Sequence, residues 1–188
     1  MSGTADISAG EGGFQGFGRR YPSEREAIIG LIDILRVEEG AAGLAIGSWV
    51  KVCRTPLLRG GLAMIAERES FHGRVFGRRM TDLGAEWRAT INPERGAEYQ
   101  ACLADPDVAD TVKLARLVDT IGDTEEVIAP VVDFALRITE DMETREALRL
   151  YCEDEISTGR WLCEACARLG VAPAPTTARA QAARAEAA

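Results

Sequence analysis

The chain has 188 residues, 46% of them hydrophobic, with a formal net charge of −8 and an isoelectric point near 4.8. This length supports one sizeable core, and the acidic balance speaks against a nucleic-acid-binding surface, which needs clustered Lys and Arg. No stretch approaches the roughly 18 apolar residues of a membrane span, Met1–Gly18 has no continuous apolar run of the secretory kind, and the five cysteines are odd in number and irregularly spaced; a protein of the reducing cytoplasm is expected.

Residues 1–21 are Gly-rich and polar and read as a disordered N-terminal tail. Residues 22–170 read as one helical domain. Ser23, with Glu26 three residues on, forms a capping box that starts a helix running to about Val52. Arg54-Thr55-Pro56 breaks it. A second helix runs from about Leu57 to Leu83 and is stopped by Gly84. The stretch Ala85–Pro106, with Asn92-Pro93 and Asp105-Pro106, reads as a long crossover with room for a short helix. A third helix is expected over about Val108–Ile138, kinked or split at Pro130. A fourth covers about Glu143–Leu169 and stops at Gly170. Cys163 and Cys166 in this helix have CxxC spacing, but a zinc or iron site needs a second such pair, so they read as packing residues. Residues 171–188, made largely of Pro, Ala, Thr and Arg, read as a second disordered tail. The expected fold is all-α, a four-helix bundle with one long crossover between the second and third helices.

The two halves resemble a duplication at an offset of 86 residues. Glu69-Ser70-Phe71-His72-Gly73-Arg74 aligns with Glu155-Ile156-Ser157-Thr158-Gly159-Arg160, and Leu31, Asp33 and Glu39 align with Leu117, Asp119 and Glu125. Core-facing helical stripes step by three and four residues. They read Ile28, Ile32, Leu35, Glu39, Ala42, Ile46, Trp49, then Leu58, Leu62, Ile65, Glu69, His72, Phe76. The third reads Leu114, Val118, Ile121, Glu125, Ile128, Val132, and the fourth Leu148, Tyr151, Glu155, Thr158, Leu162, Ala165, Leu169. Each stripe is apolar except near its middle. Glu38, Glu126, Glu153 and Asp154 fall off the stripes and read as solvated.

Buried carboxylates repel one another and lose hydration, so each needs a proton, a cationic partner or a metal. A Glu and a His three apart project from one helix face and can hold an ion jointly. Carboxylate oxygen with imidazole nitrogen suits iron or manganese, and zinc is a further occupant. Glu39, Glu69, His72, Glu125 and Glu155 are therefore the candidate ligands. The other arrangement open to such residues is a hydrogen-bond network of protonated carboxyls and arginines.

On these residues the chain resembles the ferritin-like superfamily of rubrerythrins and di-iron carboxylate proteins, over about residues 23–170. Helices 1 and 3 of that pattern each give a Glu, and helices 2 and 4 each give Glu-x-x-His. Glu39, Glu69, His72, Glu125 and Glu155 match five of its six ligand positions, and Ile65-Ala66-Glu67-Arg68-Glu69-Ser70-Phe71-His72 is similar to the rubrerythrin-like branch. The resemblance implies one or two ions of iron or manganese reacting with oxygen or peroxide, Glu39 and Glu125 as terminal ligands, and Glu69 and Glu155 as bridges. The departure is Thr158, which stands where the second His belongs. Tyr151, one turn before Glu155, is placed to fill that space or to hydrogen-bond a ligand. There is no rubredoxin segment, so an external electron donor is implied. The expected function is a non-haem metal oxidoreductase. The alternatives are a non-enzymatic metal-binding protein and a metal-free interaction module, a homodimer with Trp49, Trp87 or Trp161 at its interface.

Overall fold

The structure, a computed structural model, describes residues 13–172. Its described elements are two short strands, β1 (Phe14–Gly16) and β2 (Arg19–Tyr21), followed by helices α1 (Glu24–Val52), α2 (Pro56–Asp82), α3 (Pro93–Ala104), α4 (Asp110–Ile121), α5 (Thr124–Arg137) and α6 (Met142–Leu169). The mostly helical fold class follows from the sequence periodicity. None of the helices is long and apolar enough to cross a membrane.

The expected N-terminal tail is partly structured. Residues 14–21 form an antiparallel hairpin in which Phe14 pairs with Tyr21. Its turn places Phe17 and Gly18 at φ 47° and 72°, the double positive φ of a two-residue hairpin turn. The hairpin is held on α5: Phe14 meets the Phe134 ring edge-on at 5.3 Å, Phe17 stacks on it at 5.1 Å, and Arg137 donates to the Gln15 carbonyl at 2.7 Å. The segment looked like a tail because a three-residue strand carries too short a pattern to read. The rest of that stretch, residues 1–12, lies outside the described residues, as do residues 173–188 of the C-terminal stretch.

The third predicted helix is two helices, and the break is not at Pro130. Pro130 stays inside α5, in its second turn. The chain breaks at Gly122, whose φ of 67° ends α4, and Asp123 then caps α5 by accepting from the amides of Glu125 and Glu126. A residue with a Cβ pays a steric penalty at that φ, so Gly122 is a natural stop. Gly159 of α6 lies directly against Thr124, where a Cβ would collide with the threonine side chain.

The duplication is visible in the element bounds. α2 and α6 begin 86 residues apart, and α1 corresponds to α4 and α5 together. Equivalent residues do equivalent work. Glu24, in the first turn of α1, accepts from the amides of Thr139, Glu140 and Asp141 in the α5–α6 loop at 2.8, 2.8 and 3.0 Å. Asp110, its counterpart in the first turn of α4, accepts from the amides of Arg54 and Thr55 in the α1–α2 loop, both at 2.8 Å, and from buried Trp49 Nε1 at 2.7 Å. Arg59 and Arg145 each donate to the carbonyl that ends the preceding helix, on Cys53 and Ile138.

α1 packs along α2, α5 and α4 along α6, and α2 meets α6. The apolar core falls into two clusters. One gathers Ile28, Ile32, Phe76, Phe134 and Leu148; the other gathers Ile46, Trp49, Leu62, Leu114 and Leu162. On α1, α2 and α6 the residues between these clusters are Glu39, Glu69, His72 and Glu155, so a polar layer separates two apolar ones.

Burial alone raises the Glu24 carboxyl, but hydrogen bonds from Thr139, Glu140 and Asp141 outweigh it and hold the group below the usual carboxylate range. A carboxylate with a depressed native pKa contributes stability that is present above its unfolded pKa and lost as pH falls through its native one. Asp110 is depressed in the same way, its hydrogen bonds from Trp49, Arg54 and Thr55 outweighing burial. Glu24→Ala leaves three amides without acceptors and is expected to cost about 2–4 kcal/mol in urea unfolding at pH 7. Its deficit relative to wild type should shrink as pH falls below about 4; a deficit constant from pH 7 to 3 would contradict the role of the ionised carboxylate.

Candidate metal centre

α1 supplies Glu39, α2 supplies Glu69 and His72, and α6 supplies Glu155. One donor atom from each lies within 4.8 Å of all the others. Glu39, Glu69 and His72 are buried, and the Glu155 side chain is 18% exposed. The arrangement centres on His72. Its Nδ1 has no hydrogen-bond partner and faces Glu39 Oε2 at 3.6 Å, Glu155 Oε1 at 3.7 Å and Glu69 Oε2 at 3.8 Å. These separations are too long for hydrogen bonds. They suit donors that share a cation: two ligands about 2.0–2.2 Å from one ion lie about 3–4.4 Å apart, according to their angle at the metal. Glu39 Oε2 and Glu155 Oε1 are likewise buried without hydrogen-bond partners.

The outer groups fix the inner ones. His72 Nε2 lies 3.1 Å from Asp154 Oδ2. A neutral imidazole that donates from Nε2 presents its Nδ1 lone pair to the three carboxylates, the carboxylate–histidine–metal arrangement. Tyr151 donates to Glu39 Oε1 at 3.0 Å, leaving Oε2 for the cluster, and sets its ring edge-on to His72 at 5.1 Å. Burial, then the Glu39 and Glu155 carboxylates, push the Tyr151 hydroxyl far up, so it stays a donor.

Glu125 does not join the cluster. Its side chain is 66% exposed and pairs with Arg160 at 3.0 Å on the surface. The physical reason is the Gly122 break. A stripe runs in phase only through an unbroken helix, and Glu125 falls in the first turn of a new one. The same reset buries Val131 and leaves Val132 exposed. Thr158 is buried but is not a cluster donor; its Oγ1 accepts from Arg68 Nη1 at 3.2 Å, and the same nitrogen donates to the Asp154 carbonyl at 2.9 Å. Of the tryptophans suggested for an interface, Trp49 is fully buried, Trp161 packs on Gly61, and Trp87 is exposed beneath the Arg36 guanidinium.

Stripe reasoning passed over Asp154 and Arg68, which lie beside the core face and not on it. A signal was available: Arg68 and Asp154 are themselves separated by the repeat offset. It also passed over Glu24 and Asp110, acids buried at helix starts. Asp33 is a third buried acid satisfied by backbone, accepting from the amides of Arg88 and Ala89 at 2.8 and 2.6 Å and from Arg36. The cluster acids differ in kind, because Glu39, Glu69 and Glu155 accept from no backbone amide among the described residues. With protons as the only cations, burial and then the Glu69 carboxylate push Glu155 up to about 8. Burial, with Glu39 beside it, pushes Glu69 up to about 7. Burial works against a charged His72, but Glu39, Glu69 and Asp154 outweigh it and raise its pKa to about 10.

No family model, no curated protein and no solved structure matches this chain.

These shifts all have one sign: the native protein binds more protons than the unfolded chain between about pH 4.5 and 10. Stability of chelator-treated protein is therefore expected to fall as pH rises from 6 to 9. Saturating divalent metal should replace those protons, raise the melting temperature and reduce or reverse the slope. A melting profile unaffected by verified metal removal across that range would count against an ion in the cluster. Glu69→Ala with His72→Ala is expected to abolish binding in equilibrium dialysis. Glu125→Ala should bind as wild type does, at a stability cost within about 1 kcal/mol for an exposed pair.

Proposed function

We propose that this chain is a metalloprotein that holds a divalent transition ion through Glu39, Glu69, His72 and Glu155. The observation that carries the reading is the buried, unpartnered His72 Nδ1, turned by Asp154 toward three carboxylates that lack backbone donors. Three oxygens and one nitrogen suit iron or manganese, with zinc as a further occupant. The alternation of apolar, polar and apolar layers along the helices supports a ferritin-like bundle, with its third helix divided at Gly122.

Within that reading, the protein is a non-haem oxidoreductase of the reducing cytoplasm, acting on oxygen or peroxide and drawing electrons from an external donor. Bound iron or manganese supplies redox change and polarisation of an oxygen ligand. The side chains supply the rest. Asp154 keeps the His72 proton on Nε2. Tyr151 holds one Glu39 oxygen and, as a hydroxyl close to the cluster, offers a proton donor. The two apolar clusters exclude water from both sides of the polar layer.

A second reading, metal binding without turnover, draws on Thr158 and Glu125, since two positions that the resemblance would give to ligands are otherwise engaged. One experiment separates them. Protein purified without chelator is assayed for iron, manganese and zinc, then loaded anaerobically with ferrous iron and mixed with oxygen or hydrogen peroxide. The oxidoreductase reading expects ferrous ion to be oxidised at least about tenfold faster than by the Glu69→Ala/His72→Ala protein, a modest demand on a positioned site. Tight metal with no such difference favours the second reading, and no metal in any preparation defeats both.

A further inference from the structure

The two halves of the polar layer are built on one plan and filled with opposite chemistry. In the first half, His72 of α2 is held by Asp154 of α6, through Nε2 and Oδ2 at 3.1 Å. The repeat offset carries His72 onto Thr158 and Asp154 onto Arg68. In the second half, Thr158 of α6 is accordingly held by Arg68 of α2, through Oγ1 and Nη1 at 3.2 Å. Where one side has an imidazole oriented by a carboxylate, the other has a hydroxyl oriented by a guanidinium. The counterpart of Glu39 is Glu125, which pairs with Arg160 at the surface. On that side a hydroxyl therefore replaces the imidazole, the glutamate counterpart is turned to the surface, and a fixed cation stands beside the position.

We propose that the centre takes one divalent ion per chain, and that Arg68 stands in for the second cation. This rests on the metal-binding reading above. The charges support it. Glu39, Glu69 and Glu155 together carry three negative charges, and the bound ion offsets two of them. The Arg68 guanidinium, a quarter exposed and anchored on Thr158 and the Asp154 carbonyl, offsets the third. Asp154 pairs loosely with Arg68 at 3.8 Å, and its side chain is 45% exposed, so water screens much of its charge. The Arg68 charge comes with the chain itself. It is therefore a permanent occupant that needs no metal supply, and it repels a second divalent ion. Arg68 is a positioning residue here: it touches Thr158 and the α6 backbone, not the His72 nitrogen that faces the ion.

The test counts ions. Full-length protein is titrated with manganese or zinc and examined by native mass spectrometry, with affinity measured by competition against a chromophoric chelator. Wild type is expected to saturate at one ion per chain. Arg68→Gln keeps a donor for Thr158 and removes the charge, so it should bind the first ion about tenfold more tightly or better. Arg68→Asp with Thr158→His rebuilds on the second side the pair found on the first, and should admit a second ion. Two ions in wild type overturn the proposal while leaving the metal-binding reading intact, whereas no ion in wild type overturns that reading itself. An Arg68→Gln affinity equal to or weaker than wild type, in protein with an unchanged circular dichroism spectrum, overturns the charge role of Arg68. A folded double variant that still stops at one ion overturns the assignment of exclusion to Arg68 and Thr158. If the double variant does not fold, the single variant decides.

Discussion

The constraint on which this molecule turns is the burial of carboxylates, because a carboxylate removed from water must find donors or a cation. The protein meets that demand in two ways. Glu24, Asp33 and Asp110 each take two or more backbone amides from a loop, so the charge is neutralised by the chain and the loop is pinned in return. Glu39, Glu69 and Glu155 sit on straight helical stretches whose amides are already committed to the helix, and no loop comes near enough to help. Only side chains can answer them, and those present are one imidazole, one phenol and one guanidinium. Buried acids that a loop reaches are architectural, and the buried acids of the polar layer require a partner that the backbone does not provide.

The pseudo-symmetry of the two halves sharpens this distinction. Glu24 and Asp110 hold opposite loops in equivalent ways, and Arg59 and Arg145 hold equivalent helix ends. These loop and helix-end contacts retain the symmetry of the repeat. The polar layer has lost it. α1 runs unbroken through the level of Glu39, but its counterpart is interrupted at Gly122, and the Thr124 side chain lies against Gly159 where the helices close up. The non-helical backbone at Gly122 and Asp123 separates Glu125 from the phase of α4 and leaves it at the surface. The partner of Thr158 has changed sign in the same half, from the carboxylate of Asp154 to the guanidinium of Arg68. Scaffold contacts tolerate no such exchange, because an unanswered amide or carbonyl in a loop costs about 1–3 kcal/mol. The polar layer can exchange charge for charge as long as its sum is kept.

The sequence alone determined the long helices and most of what faces inward. Every stripe residue of α2, from Leu58 to Phe76, is buried, because seven-residue apolar spacing over an unbroken helix leaves one choice of face. It also determined that Glu39, Glu69, His72 and Glu155 share a level, since on α1, α2 and α6 each lies between two apolar runs of matching length. Tertiary structure decided what periodicity cannot carry. The fate of Glu125 depended on a helix phase that Gly122 resets, and a glycine in a helical pattern is a stop only if the packing around it takes the positive φ. The hairpin over residues 14–21 depended on Phe134 offering a ring to cover. The roles of Asp154 and Arg68 depended on which side chain stood across the helix interface. A stripe reports the direction in which a residue points along its own helix; the partner that answers a charge belongs to another helix, and only the folded chain brings the two together.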